Sequence, residues 1–333
     1  QLKQELINFD SIEERLHFLK NKYEGETAYI VTCGPSLAKH NVDELNERLK
    51  DKLVISIKQG YNVVKDVADF HLMNTYNFSP YTWKDDTIVY WSLSKSYADE
   101  QLNRIIEMNA PIDLYIPVIN PPFLNATQTT QATCNWDDFY MMETHTEVKH
   151  GVGMMYELAI PLILLLGCKN VVVMGWDLGD PNGKPEDLEH SYNHNVEKIT
   201  RPQEGEIAET MRSTDSLFDW LKEKNIDFKI LSDESYVSSK FDRMQLSDIS
   251  SEKQKEKQLL PKHPNTSKYP SRLFDSIKVG DWDDYFFKVI QNVNNVDGCF
   301  VEMGFGQGDS VGIIKKFMED DSIDIKNRDI WVY

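Results

Sequence analysis

Glycine and polar residues that follow several apolar runs of the chain could together bind a phosphorylated ligand. Gly34-Pro35-Ser36 follows one such run, Lys58 and Asn74 end two others, and Gly175-Trp176-Asp177 ends a fourth. Glycine lets a ligand approach the main chain closely, and a turn that opens a helix can point its backbone N–H groups at an anion. Ser36 could cap the next element or bind a phosphate oxygen. By itself, the Gly34 turn fits a phosphate site or a plain strand-to-helix connection.

Three histidines are candidate catalytic groups. His190 and His194 lie in the polar loop after Asp177, and His150 precedes an apolar helical stretch. An imidazole with its ordinary pKa of about 6.5 can accept a proton from a hydroxyl group. His190 and His194 are therefore candidate general bases, and solvated loop histidines are the open alternative. His150 could hold a phosphate or cap the helix.

The elements that must position these residues alternate between strands and helices. Apolar, β-branched runs predict strands at 28–31, 53–57, 68–73, 87–92, 114–118, 170–174 and 228–231. Helical patterns fall within 1–22 and at 41–50, 98–108, 151–166 and 206–224. This alternation predicts an α/β fold with a doubly wound, mostly parallel Rossmann-like sheet and helices on both faces. Ligands of such sheets bind beyond the carboxyl ends of the strands, where Gly34, Lys58, Asn74 and Asp177 fall.

Composition narrows the class of partner. The 333 residues carry 54 acidic and 36 basic side chains, for a net charge of −18. Nucleic acids and anionic membranes are bound through basic surfaces, so we expect neither as a partner. The four cysteines are scattered without a paired motif, which favours a reduced, cytoplasmic protein. The longest apolar stretch, 158–166, is too short to span a bilayer.

A polar segment at 120–147 interrupts the α/β pattern. It fits a functional lid or a plain surface excursion. Aromatic residues in and beyond it could stack on a base or sugar, or could simply pack in the fold. These are Trp136, Tyr140, Trp176 and Tyr192.

Domain organisation follows from a charged, polar run near residue 250. We predict a Rossmann-like transferase domain at 1–246, a linker at 247–268 and a small, partial α/β unit at 269–333. The last unit has the order strand, glycine-rich turn, helix and strand, with Glu302-x-Gly304-x-Gly306-x-Gly308 at the turn.

These residues resemble those of known families. The first 235 or so residues resemble a superfamily of sialic-acid-type transferases. Its members include bacterial sialyltransferases of glycosyltransferase family 42, flagellin-modifying motility accessory factors and domains like 6-hydroxymethylpterin diphosphokinase. The resemblance rests on Gly34-Pro35-Ser36-Leu37 after a strand, Asn74 closing another, Gly151-Val152, Gly175-x-Asp177 and Thr214-Asp215. The C-terminal segment resembles the start of a macrocin O-methyltransferase-like, S-adenosylmethionine-dependent methyltransferase.

The resemblance implies a CMP-activated sugar donor held across the strand ends, without a metal. It implies Gly34, Pro35 and Ser36 beside the phosphate or ribose, and Asn74 near the phosphate or sugar. It implies His150 and Gly151 beside the nucleotide and Asp177 near the cytidine or ribose. We expect Gly175 to belong to the same donor site, and Lys58 or His150 to stabilise the leaving phosphate. Because the methyltransferase-like segment has only two strands, S-adenosylmethionine is not expected to bind. Its strand edges could be covered by the first domain or by another copy of the chain, as in a homo-oligomer.

The chain also departs from the sialyltransferase pattern. The catalytic histidine of those enzymes falls near Thr210 here, and an expected asparagine is replaced by Lys58 or Gln59. We therefore expect a glycosyltransferase that moves a sialic-acid-like sugar, with inversion, to a hydroxyl of a carbohydrate or protein, with His190 or His194 as the base. One alternative is a diphosphokinase that uses ATP and Mg²⁺, with Asp177 and Asp180 near the metal. The other is a nucleotide-binding module without catalysis.

Overall fold

A sheet of nine parallel strands forms the centre of the first of two units, Gln1–Glu256 and Lys257–Tyr333. The computed structural model describes residues 2–75, 81–119, 148–149, 153–180, 182–184, 188–192, 206–250, 300–302 and 330–332. The strands are β1 (Thr27–Val31), β2 (Leu53–Ile57), β3 (Phe70–Asn74), β4 (Ile88–Ser94), β5 (Leu114–Ile119), β6 (Val148–Lys149), β7 (Asn170–Met174), β8 (Asp227–Ile230) and β9 (Asp242–Arg243).

The order of the strands is β6-β5-β4-β3-β2-β1-β7-β8-β9, and each neighbouring pair is parallel. The chain adds strands outward from β1 in one direction as far as β6. It then returns to the other side of β1, where Thr27 pairs with Asn170. This reversal confirms the predicted doubly wound α/β architecture and places a topological switch point between β1 and β7.

Helices cover both faces of the sheet. They are α1 (Leu2–Leu6), α2 (Ile12–Leu19), α3 (Val42–Leu49), α4 (Tyr61–Val64), α5 (Ala98–Glu107), α6 (Ile160–Leu165) and α7 (Glu206–Glu223). On one face, α1, α2, α6 and α7 share a core with alternate residues of the strands, among them Ile30, Ile55 and Val173. On the other face, α3 and α4 pack on Tyr29, Val54 and Val172. Strands buried on both faces explain the nearly continuous apolar runs of the sequence.

Local signals explain where several helices begin. The Ser11 hydroxyl accepts from the N–H of Glu14, whose carboxylate accepts from the Ser11 N–H, a reciprocal capping box that starts α2. The Asn41 side chain caps α3 in the same way, through the N–H of Glu44. A π-helical turn at Met155–Ala159 runs directly into α6, and Pro161 is the second residue of α6.

The second unit has two described strands, β10 (Phe300–Glu302) and β11 (Ile330–Val332), which pair in parallel. Both lie within the predicted strands of the partial C-terminal unit. The glycine-rich turn between them lies outside the described residues, so its methyltransferase-like role stays a prediction. No described helix is both long and apolar enough to cross a membrane.

Candidate functional site

A cavity of about 440 Å³ opens at the carboxyl ends of β1, β2 and β7. It lies at the switch point of the sheet, where parallel α/β folds bind their ligands. Of the predicted site residues, it brings together Gly34, Pro35, Lys58, Gly175, Asp177 and His190. Other residues of its wall are Thr32, Cys33, Ile57, Met154, Met155, Trp176, Asp180, Lys184, Glu189, Ile207 and Tyr236.

Asp177 holds the turn that follows β1. Its Oδ2 atom accepts from the Ser36 N–H at 2.8 Å, and its Oδ1 atom accepts from the Ser36 hydroxyl at 2.7 Å. Both side chains are buried. The carboxylate thus occupies the position beside the first turn of the 3₁₀-helix Pro35–Lys39 that the sequence interpretation gave to a phosphate.

Two further N–H groups of this turn also have partners within the protein. Thr32 N–H donates to the Met174 carbonyl at 2.9 Å, and Gly34 N–H donates to the Gly175 carbonyl at 2.7 Å. Pro35 has no N–H to offer. Most of the donors expected to point outward are therefore already used, by Asp177 and by the two carbonyls at the end of β7. An anionic ligand must find its positive partner elsewhere in the cavity.

Gly34 is required by the closeness of β1 and β7 at this end of the sheet. A Cβ atom at Gly34 would lie 2.2 Å from the Gly175 oxygen and 2.5 Å from Asp177 Oδ2. Only glycine lets the two backbones pack so tightly. Gly175 itself has a φ of 71°, in the left-handed region that favours glycine.

Lys58 brings a side-chain amine to the cavity wall. It follows β2 directly and has a φ of 45°, which is uncommon for a residue with a side chain. Burial lowers the pKa of its ammonium group, and nearby Cys33 and Glu157 act in the opposite direction. Among the described residues, no hydrogen bond or ion pair of the Lys58 side chain is present. The ammonium group therefore remains available to an anion in the cavity.

Glu157 and, once its thiol is ionised, Cys33 oppose the effect of burial on Lys58. Burial raises the pKa of the Cys33 thiol to about 11, although Lys58 opposes the rise, so the thiol is neutral near pH 7. The Glu157 carboxylate is buried in the π-helical turn and accepts from the Ser92 hydroxyl at 3.0 Å. Sequence interpretation missed Glu157, because a single acidic residue in an apolar helix has no distinctive pattern.

The loop after β7 brings His190 to the cavity. The Ser191 N–H donates to the Cys33 carbonyl at 2.8 Å, which ties the loop to the end of β1. The ring centroids of His190 and Tyr192 lie 4.8 Å apart. Trp176 lines the cavity but is buried, with its ring edge-on to Tyr156 and Phe228, so packing accounts for much of its surface.

Asn74 ends β3 as predicted but does not line the described cavity. It is only 8% exposed, and its Oδ1 atom has no hydrogen-bond donor among the described residues. It pairs in register with Ser92 of β4, whose hydroxyl binds Glu157. Asn74 thus belongs to a polar group next to the cavity, one strand beyond Lys58.

The Thr214-Asp215 pair binds a neighbouring loop. The Thr214 hydroxyl accepts from the Ser238 N–H at 2.9 Å, and Asp215 accepts from the Ser238 hydroxyl. The same loop carries Tyr236, whose N–H donates to the Asp177 carbonyl at 3.0 Å. This pair therefore supports the cavity wall from behind. Thr210, at the position of the expected histidine, is buried in α7.

Several predicted residues lie outside the described part of the chain. They are His150, Gly151, His194, Trp136 and Tyr140. Within the part that is described, no group of three or more His, Cys, Asp or Glu side chains is arranged to hold a metal ion. A comparison with protein-family models finds no matching family, and a comparison with curated proteins finds no significantly similar sequence.

Proposed function

We propose that the chain is a glycosyltransferase that moves a sialic-acid-like sugar from a CMP donor to a hydroxyl acceptor, with inversion. The observation that carries this proposal is Lys58, a cation without an ion-pair partner among the described residues, in a cavity at the switch point. The volume of about 440 Å³ falls in the range of small-molecule sites. The resemblance to sialic-acid-type transferases supplies the choice of nucleotide.

The chemistry of the proposed reaction suits a single cation. The bond between the anomeric carbon and the phosphate oxygen breaks, and CMP leaves with that electron pair. The acceptor oxygen forms the new bond from the opposite face and loses its proton to a base. Because negative charge develops on the phosphate, a fixed ammonium group stabilises the transition state more than the bound donor.

His190 is the base of the proposed mechanism. It lines the same cavity as Lys58, and an imidazole can take the proton of an acceptor hydroxyl. The Ser191 bond to the Cys33 carbonyl holds the loop that carries His190 at the cavity wall. His150 and His194 remain candidates of the same type.

Binding of CMP and of cytidine, measured by calorimetry in the presence of EDTA, tests the donor site. We expect the wild type to prefer CMP, because cytidine offers no phosphate to Lys58. Lys58→Met should weaken CMP binding by about 10- to 100-fold, the usual loss of a charged hydrogen bond, and leave cytidine binding unchanged. Lys39→Met is the matched control, since Lys39 pairs with Glu234 on the surface.

Other outcomes would select another function. If only ATP with Mg²⁺ binds, the diphosphokinase alternative replaces the proposal. If CMP binds but a CMP-sugar is not consumed even with acceptors supplied, the chain is a nucleotide-binding module. If CMP binds equally well to the wild type and to Lys58→Met, the assignment of the phosphate to Lys58 is wrong.

His190→Ala tests the base separately. We expect turnover to fall by about 100-fold or more while CMP affinity stays at the wild-type value, because general-base catalysis contributes to the chemical step. Unchanged turnover would remove His190 from the mechanism and leave the donor site intact.

A further inference from the structure

A buried histidine contacts the backbone of the residue that supplies the cation. His71 is the second residue of β3, is fully buried and was not among the predicted site residues. Its Nε2 atom lies 2.9 Å from the Lys58 carbonyl oxygen. Its Nδ1 atom accepts from the indole N–H of Trp83 at 2.8 Å. Both ring nitrogens are therefore engaged.

These two contacts define the tautomer of His71. An indole N–H can only donate, so Nδ1 is the acceptor and the proton of the neutral ring is on Nε2. The Nε2–H group then donates to the Lys58 carbonyl. Burial lowers the pKa of His71 to about 3, so the ring stays neutral at ordinary pH. Protonation of the ring therefore does not disturb the bond to the Lys58 carbonyl at ordinary pH.

Aromatic contacts fix the orientation of the His71 ring. It stacks on Tyr61 with centroids 4.3 Å apart and planes within 12°, and it meets Tyr81 edge-on at 4.7 Å. Tyr61 directly follows the 3₁₀ turn Lys58–Gly60. His71 therefore contacts the first residue of this turn. Tyr61, on which the His71 ring stacks, follows the last residue of the turn.

The opposite side of the turn packs against β1. A Cβ atom at Gly60 would lie 2.6 Å from the Thr32 carbonyl oxygen and 2.7 Å from that of Val31. Lys58 carries the left-handed φ of this turn, a conformation that costs a non-glycine residue about 1 kcal/mol or more. The contacts of His71 and of Gly60 offset that cost from two sides.

We propose that His71 is a positioning residue, whose bond to the Lys58 carbonyl holds the turn in the conformation from which the ammonium group faces the cavity. This inference rests on the proposed role of Lys58 as the anion-binding group. His71 does not touch the ligand. It acts through the backbone of Lys58.

Two amide variants separate the two bonds of His71. The amide nitrogen of glutamine falls near Nε2 of histidine, so His71→Gln keeps a donor for the Lys58 carbonyl and loses the acceptor for Trp83. The amide oxygen of asparagine falls near Nδ1, so His71→Asn keeps the Trp83 bond and loses the Lys58 bond. Trp83→Phe removes the indole donor and leaves the Lys58 bond in place, as a control for general destabilisation.

We expect His71→Asn to weaken CMP binding by about tenfold, while His71→Gln and Trp83→Phe bind nearly as the wild type does. Melting temperatures should fall in all three variants, so the affinity pattern does not follow stability. Equal CMP affinity in His71→Asn and His71→Gln would overturn the positioning role.

A second readout needs no ligand and decides the inference even if CMP does not bind. Lysines are labelled by reductive methylation with ¹³C-formaldehyde, and the Lys58 signal is assigned by its absence in Lys58→Arg. In the wild type and in His71→Gln, this signal should titrate at the same pH, below that of the surface lysines. In His71→Asn, the midpoint should move towards the surface value as the amine reaches water. An unchanged Lys58 midpoint in His71→Asn would contradict the inference. If the midpoint moves as expected but CMP does not bind, only the proposed function is refuted.

Discussion

Charged groups at the two edges of the same parallel sheet differ in whether they have an ion-pair partner among the described residues. At the amino edge, Asp113 accepts from the Val89 N–H at 2.8 Å and pairs with Lys3 at 2.8 Å, with both side chains nearly buried. At the carboxyl edge, the Lys58 ammonium has no ion pair in the described part of the chain. Satisfied charges stabilise the fold, whereas a charge left without a partner is available to a ligand.

A second aspartate at the amino edge sharpens this contrast. Asp69 accepts from the Val54 N–H at 2.8 Å, just as Asp113 accepts from Val89, and each residue also donates its own N–H across to the next strand. The described contacts of Asp69 include no ion pair with a lysine. Burial accordingly raises the pKa of Asp69 to about 7. The same backbone arrangement thus gives a strongly paired carboxylate at one position and a weakly acidic one at the other.

The largest expected effect concerns the contact between β1 and β7 at the carboxyl edge. Gly34→Ala places a Cβ atom within 2.5 Å of two oxygen atoms, both held in place by hydrogen bonds. We expect a loss of about 3 kcal/mol or more in the free energy of unfolding, measured with urea. Gly25→Ala is the control, because Gly25 also has a positive φ but no atom lies within 4 Å of its added Cβ. Equal losses would mean that crowding is not what requires Gly34.

Next in size is the ion pair at the amino edge. Lys3→Met leaves the Asp113 carboxylate without its cation and removes the bond from Lys3 to the Thr87 carbonyl. We expect a loss of about 2–3 kcal/mol in the free energy of unfolding. Lys84→Met breaks the exposed pair with Asp66 and should cost less than about 0.5 kcal/mol. Comparable losses in the two variants would show that burial does not distinguish the two pairs.

The raised pKa of Asp69 should have a smaller effect, on the pH dependence of the free energy of unfolding. The raised pKa means that the folded protein binds more protons than the unfolded chain between about pH 4 and 7, so this group makes stability fall as pH rises through that range. The slope is at most about 1.4 kcal/mol per pH unit. His71 acts oppositely, because its lowered pKa makes stability fall as pH drops below about 6.5.

The variant Asp69→Asn isolates the first effect. The difference in unfolding free energy between the wild type and Asp69→Asn should decrease as pH rises from 4.5 to 7 and then level off. Urea titrations at several pH values measure it. A difference that does not vary with pH would show that Asp69 titrates as an ordinary aspartate.

The smallest expected effect on stability is at the carboxyl edge. Lys58→Met removes a half-buried amine that has no ion pair in the described contacts, so the free energy of unfolding should change by less than about 0.5 kcal/mol or rise slightly. A loss as large as that of Lys3→Met would mean that Lys58 is a structural cation and would remove the contrast between the edges.

Most of the sheet could be predicted from the sequence. The apolar runs at 53–57 and 170–174 match β2 and β7 residue for residue. The strand predicted at 68–73 begins two residues before β3 and ends one residue before it. Asp69 already hydrogen-bonds to the neighbouring strand just before β3 begins. The two-residue strands β6 and β9 were missed, since so short a pairing leaves no periodic pattern.

The location of the site residues could be predicted from the sequence, but most of their hydrogen-bond partners could not. Strand ends placed Gly34, Lys58 and Asp177 together, because the carboxyl ends of parallel strands meet at one edge. The donors of the Gly34 turn were expected to face a ligand, yet Asp177, 141 positions from Ser36, accepts from the N–H and hydroxyl of Ser36. His71 was missed because it sits in an apolar strand pattern. Both errors concern contacts between distant residues, which local patterns do not report.

The strand order also has a consequence for how the chain folds. Strands β1 to β5 pair with sequence neighbours, whereas β1 meets β7 only after Asn170 is available to Thr27. During synthesis, one side of β1 therefore stays unpaired until more than a hundred further residues have been made. Contacts of such long range in the sequence slow folding. A nascent chain that ends before β7 exposes an apolar strand edge and is expected to need a chaperone. The wall of the cavity formed by β7 is thus completed late in folding.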